Sequence, residues 1–84
     1  TKDKILMNLS VAQISYFINI LLQANIIKHS NQRDIFRMIS ENFKTNGTDT
    51  ISVDSLSAKF YNVEDTTKKA IREKIIELMN LSKK

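Results

Sequence analysis

The chain contains no proline and a single glycine, Gly47, among its 84 residues. Proline and glycine are the residues that most often interrupt helices, so long helical segments can run here without a break. The length suits one domain, and 42% apolar residues are typical of a globular chain. We therefore expect an all-α fold, a compact bundle of four helices within a single domain at residues 1–84. We also expect this domain to be a fragment of a longer protein.

The first helix is predicted at residues 10–24, where both ends carry a recognisable signal. Ser10 and Gln13 have the spacing of a capping box at the N-terminus. Asn25 can take the left-handed conformation that ends many helices, with Ile26 folding back on the last turn. The apolar residues between these ends follow the period of one helical face: Ile14, Phe17, Ile18, Leu21 and Leu22.

Two shorter helices are predicted at residues 31–43 and 53–60. Ser30 or Asn31 can cap the first of them, and Ser52 can cap the second, because small polar side chains accept hydrogen bonds from the free amides of a first turn. These two helices supply the middle of the expected bundle.

The last helix is predicted at residues 64–80, with Asn62 as its cap. Glu64 and Asp65 lie in its first turn, where the helix dipole favours negative charge. The residues that form its apolar stripe are Ile71, Ile75, Leu78 and Met79.

The sequence predicts no catalytic or metal site. His29 is the only histidine, no second ligand stands at metal spacing, and the chain has no cysteine. The serines lack a histidine base placed nearby, and a single glycine cannot build a phosphate-binding loop. We therefore expect no enzyme activity, no cofactor, no metal and no small-molecule substrate.

Charge and hydropathy limit the kinds of partner and the cellular location that we expect for this chain. The net charge of +4 permits binding to a polyanion without demanding it. The longest apolar stretch, residues 14–22, is far shorter than the about 20 residues that span a bilayer. The last helix mixes Glu73 and Glu77 with its lysines, which argues against a membrane-surface helix. We expect a cytoplasmic protein that does not bind a membrane.

The last two helices have the pattern of a helix-turn-helix, in which a short helix and a tight connection precede a helix that reads DNA. Leu56 and Phe60 supply the inner residues of the short helix, and the connection Tyr61-Asn62-Val63 is brief. Two features oppose this interpretation. The connection lacks the usual glycine, and two acids open the second helix. The residues predicted to contact DNA are Thr66, Thr67, Lys68, Lys69 and Arg72.

The chain also resembles the C-terminal region of RteC-family regulators of mobile elements. The matching residues are Phe43 and Thr45, then Ile51, Ser52, Ser55 and Leu56, then Tyr61 and Asn62. The resemblance implies a helical, winged-helix-like DNA-binding domain in a transcriptional regulator of conjugative-transposon excision, preceded by an N-terminal domain. This sequence departs from that pattern because no β-hairpin wing follows residue 81.

A protein-interaction or dimerisation module without DNA contact is the alternative. The first helix carries more apolar residues than one face requires, since Tyr16 and Ile20 lie outside the stripe that includes Phe17. Either neighbouring helices cover both of its sides or a homodimer or partner domain does.

Overall fold

The structure is a computed structural model that describes residues 3–28 and 31–84. His29 and Ser30, considered above as a metal ligand and as a cap, lie outside the described residues. The described elements follow one another in this order: β1 (Ile5–Met7), α1 (Val11–Gln23), α2 (Gln32–Asn42), β2 (Phe43–Thr45), α3 (Val53–Tyr61) and α4 (Asp65–Ser82). The four predicted helices are confirmed, with each end within two residues of its expected position.

A small parallel sheet accompanies the helices. β1 pairs with β2 in a register that places Ile5 beside Phe43 and Met7 beside Thr45. The connection between the strands contains both α1 and α2, as parallel strands require a long crossover. The expected all-α class is therefore only approximately confirmed. After β2 the chain turns at once, and Thr45 donates its amide to the carbonyl of Thr48 at 2.9 Å.

The predicted ends of α1 are confirmed in detail. The Gln13 amide donates to the Ser10 hydroxyl at 3.1 Å, and the Ser10 amide donates to the Gln13 side chain at 3.0 Å. At the other end Asn25 has a φ of 61°, in the left-handed region. The Ile26 amide then donates to the carbonyl of Leu21 at 2.9 Å, which completes a Schellman motif.

The caps of the later helices agree with prediction in two cases and differ in one. Asn31 accepts the Arg33 amide at 2.9 Å, and Ser52 accepts the Ser55 amide at 3.0 Å. Asn62 was expected to cap α4, and this expectation is wrong. It ends α3 instead, where its side-chain amide donates to the carbonyl of Ala58 at 3.3 Å.

The hydrophobic core lies between α1, α2 and α3. The buried hydrophobic residues that meet there are Ile14, Ile35, Phe36, Ile39, Ile51, Leu56 and Phe60. The rings of Phe36 and Phe60 meet edge to face, with centroids 5.3 Å apart. The Ser15 hydroxyl is also buried and donates to the carbonyl of Leu56 at 3.1 Å, so α1 and α3 are joined by a polar as well as an apolar contact.

The buried residues of α4, Thr67 and Ile71, lie in its first two turns. Ile71 is almost fully buried, whereas the other three residues of the predicted apolar stripe, Ile75, Leu78 and Met79, are exposed. The predicted apolar stripe is therefore buried at Ile71 and exposed at its other three residues. α1 is the element on which α4 packs most extensively among the described residues.

Candidate nucleic-acid interface on the fourth helix

α1 is the helix that positions both α3 and α4, since it packs against each of them. On the α3 side, Ser15 and Asn19 donate side-chain hydrogen bonds to the carbonyls of Leu56 and Phe60, at 3.1 and 3.4 Å. On the α4 side, Ile71 is buried and lines a groove shared with Phe17 of α1. The two helices of the predicted helix-turn-helix are thus held by a common third helix.

The connection between α3 and α4 requires no left-handed residue. Asn62 has a φ of −124° and Glu64 a φ of −78°, both in regions open to any residue. Within the described residues, Asn25 is the one non-glycine residue with positive φ. The absence of glycine from this connection therefore involves no backbone strain, and it does not count against a helix-turn-helix.

The predicted DNA-contacting residues separate into two groups. Thr66, Lys68, Lys69 and Arg72 are exposed, whereas Thr67 is buried at 8% exposure. Thr67 lies one turn before Ile71 and shares its inner face. It is therefore removed from the set of residues that can touch DNA.

Lys68, Lys69 and Arg72 form one exposed cationic face, which we call the basic face. Residues three and four apart are neighbours on a helix surface, and Arg72 stands in that relation to both lysines. Thr66 precedes Lys69 by three residues and lies at the edge of this face. Among residues 3–28 and 31–84 the ion pairs are Asp34–Arg37 and Lys74–Glu77, so the three cations have no carboxylate partner there.

Negative charge lies at the entrance of the basic face. Glu64 and Asp65 are exposed, and Asp65 is a surface neighbour of Lys68 and Lys69 by spacing. No side chain caps the first turn of α4. Acidic side chains are favourable at this end of α4, because the helix dipole is positive there. Their negative charge restricts the cationic surface of α4 to its second and third turns.

The part of the chain that the structure describes offers little else for chemistry. It contains no group of three histidine, aspartate or glutamate side chains that could hold a metal ion. None of its helices is long and apolar enough to cross a membrane. The side-chain hydrogen bonds of Ser10, Ser15 and Ser52 cap helices or join α1 to α3, and none of them places a base beside a nucleophile.

Sequence reasoning missed one surface feature. Ile76 and Leu81 were not assigned to any face, yet both are exposed together with Ile75, Leu78 and Met79. The signal was present in the sequence, since these apolar residues occupy more of the helix circumference than a single buried face needs.

Comparison of the chain with protein-family models, with curated proteins and with solved structures found no match. The resemblance to RteC-family regulators accordingly stays a prediction from the sequence.

Proposed function

We propose that this chain is a small cytoplasmic DNA-binding domain of helix-turn-helix-like type, from a transcriptional regulator of a mobile element. α3 is the first helix of the unit, and α4 is the helix that approaches DNA. The observation that carries the proposal is the basic face. Lys68, Lys69 and Arg72 are exposed side by side and without carboxylate partners on a helix that α1 anchors to the core.

The basic face suits the phosphate backbone better than base edges. Lysine and arginine side chains neutralise phosphates, and most protein–DNA hydrogen bonds go to phosphate and sugar oxygens. Arg72 can also form the bidentate contact with guanine that arginine favours in the major groove. Thr66, at the edge of the face, can donate its hydroxyl to a phosphate.

Of the winged-helix-like pattern, this proposal uses only the helices. The two strands of the described chain lie before α1 and after α2, and neither follows α4. Among the described residues, the proposed interface is therefore formed by helices. The interface is limited to α4 and to the nearby surface of α3, where Lys59 is exposed.

The alternative of a dimer through α1 has less support. Tyr16, Phe17 and Ile20 are half-buried, and α3 and α4 both pack on this helix. Neighbouring helices thus account for the extra apolar residues of α1.

The test is a charge reversal of the basic face, with Lys68→Glu, Lys69→Glu and Arg72→Glu in one variant. Binding to a fluorescent duplex of mixed sequence is measured by anisotropy at increasing salt. We expect the parent protein to bind the duplex at low salt, with the micromolar affinity that is typical of sequence-independent binding. If the three cations neutralise three phosphates, the association constant should be inversely proportional to roughly the 2.7th power of the salt concentration. The variant should lose binding while its circular dichroism spectrum stays unchanged, because all three residues are exposed.

A matched control reverses three exposed cations elsewhere, with Lys28→Glu, Arg33→Glu and Lys84→Glu. It changes the net charge by the same amount and should retain most of the binding. An equal loss in both triple variants would show only a general charge effect and would refute the assignment to the basic face. Absence of binding by the parent protein at low salt would refute the function itself.

A further inference from the structure

The turn that follows β2 contains the only asparagine–glycine pair in the sequence. Gly47 is the single glycine, and the other seven asparagines each precede a residue with a larger side chain, which is leucine, isoleucine, glutamine, phenylalanine or valine. The structure exposes both Asn46 and Gly47 to solvent. The peptide bond that joins them is therefore accessible to water.

The residues on either side hold this turn at its ends. The Thr45 amide donates to the carbonyl of Thr48 at 2.9 Å, and the Thr48 amide donates to the carbonyl of Thr45 at 3.3 Å. Thr45 is buried, and its hydroxyl accepts the Gly47 amide at 3.2 Å. The two central residues thus project into solvent from an anchored base.

The side chain of Asn46 is held weakly. Its amide donates to Oδ1 of Asn8 at 3.3 Å, and both residues are exposed. Water can replace such a bond at little net cost, because an exposed donor exchanges one partner for another. The side chain of Asn46 is therefore free to rotate towards its own backbone.

An asparagine side chain can react with the backbone nitrogen of the next residue, and the side chain of that next residue controls the access. A β-carbon restricts the backbone rotation that brings the two groups together, and a β-branched side chain restricts it further. Glycine has no β-carbon and imposes no such restriction. Among the asparagines of this chain, Asn46 is therefore the one whose neighbour leaves the reaction open.

We propose that Asn46 is a site of spontaneous deamidation. The backbone nitrogen of Gly47 bonds to the side-chain carbonyl carbon of Asn46 and loses its proton. The bond from that carbon to the side-chain nitrogen breaks, and ammonia leaves with the proton. Water then opens the resulting succinimide ring. Opening at the side-chain carbonyl leaves an aspartate at position 46, and opening at the main-chain carbonyl leaves an isoaspartate, whose backbone runs through the former side chain.

Both products differ from the parent protein in measurable ways. Each adds one negative charge to a chain whose formal net charge is +4. The isoaspartate form also adds one carbon to the main chain between Thr45 and Thr48, the residues whose pairing closes the turn. The proposal does not depend on DNA binding, and its test contains no DNA.

The experiment is incubation of the folded protein in mildly alkaline buffer, followed by trypsin digestion and mass spectrometry. The tryptic peptide 45–59 lies between Lys44 and Lys59 and contains Asn46 as its only side-chain amide. It should gain about 1 Da, because a hydroxyl replaces the amide NH₂, and it should separate into two products of equal mass. The tryptic peptide 60–68 is the internal control, because its single asparagine, Asn62, is also exposed but precedes Val63. This peptide should keep its mass when most of peptide 45–59 has reacted.

Gly47→Ala is the matched variant. Gly47 does not have a positive φ, and an added β-carbon would lie 3.8 Å from Oγ1 of Thr45, an ordinary contact. The variant should therefore keep the circular dichroism spectrum of the parent and deamidate at least about tenfold more slowly. Asn46→Gln is a second variant that keeps Gly47, and it should show no mass gain in peptide 45–59, because the longer side chain cannot close a five-membered ring.

Three results would each overturn the proposal. They are a peptide 45–59 that keeps its mass after several weeks, equal rates of modification in the peptides 45–59 and 60–68, and a folded Gly47→Ala variant that reacts as fast as the parent.

Discussion

Leu56 is the residue through which the fold can be tested most directly. Its side chain is 0% exposed at the centre of the core, and its carbonyl accepts the buried Ser15 hydroxyl. Leu56→Ala removes the side chain beyond its β-carbon and leaves the backbone contact to α1 in place. The substitution therefore isolates the packing contribution, since alanine is the best helix former.

The magnitude follows from the burial. Three carbon groups leave the core at about 0.8 kcal/mol each, which gives about 2.4 kcal/mol before any cavity term. A cavity that does not collapse raises the cost towards about 5 kcal/mol. A domain of this length has an unfolding free energy on the order of 4–12 kcal/mol, so Leu56→Ala should remove a large fraction of it.

Urea unfolding followed by circular dichroism at 222 nm measures the effect, with a slope of about 1 kcal/mol per molar for a chain of this size. The midpoint of Leu56→Ala should fall by at least about 2 M. Leu78→Ala is the matched control, because it makes the same change at a helical residue that is 52% exposed, and it should shift the midpoint by less than about 0.5 M. Equal shifts for the two variants would refute the placement of the core.

The two ends of α1 supply two further predictions, each measured by the same urea titration. Ser10→Ala should cost about 1 kcal/mol because it removes the hydroxyl that accepts the Gln13 amide, and a cost below about 0.3 kcal/mol would contradict the capping box. Asn25→Ala should cost about 1 kcal/mol and Asn25→Gly should cost nothing or stabilise, because the left-handed φ of 61° penalises a β-carbon. An equal effect of both substitutions would argue against that conformation.

Local signals explain why α1 could be predicted from the sequence almost to the residue. The capping box at Ser10 and the Schellman motif at Asn25 are formed by neighbours in the chain, and both are found as expected. The sheet could not be predicted in the same way. Ile5–Met7 is too short to be identified without knowledge of its partner, which follows both α1 and α2.

The errors on α4 have a related cause. Helical spacing tells which residues share a face, and it does not tell whether a neighbour covers that face. Ile71 and Leu78 belong to one stripe, yet Ile71 is buried and Leu78 is exposed. Thr67 was assigned to the DNA surface from its polarity, although its spacing from Ile71 already placed it on the inner side. The basic face itself depends only on spacing, and the exposure of its three cations agrees with the expectation.

The parallel pairing of β1 with β2 also has a consequence for the order of folding. Its first register pair, Ile5 with Phe43, closes a loop that contains two whole helices. Closing such a loop costs about 3 kcal/mol of conformational entropy. The hydrogen bonds of a three-residue strand pair stabilise the fold by less than that. The helices must therefore pack first and bring the strands together. The sheet then forms after the transition state for folding. Changes in β1 then act on the unfolding rate and leave the folding rate nearly unchanged.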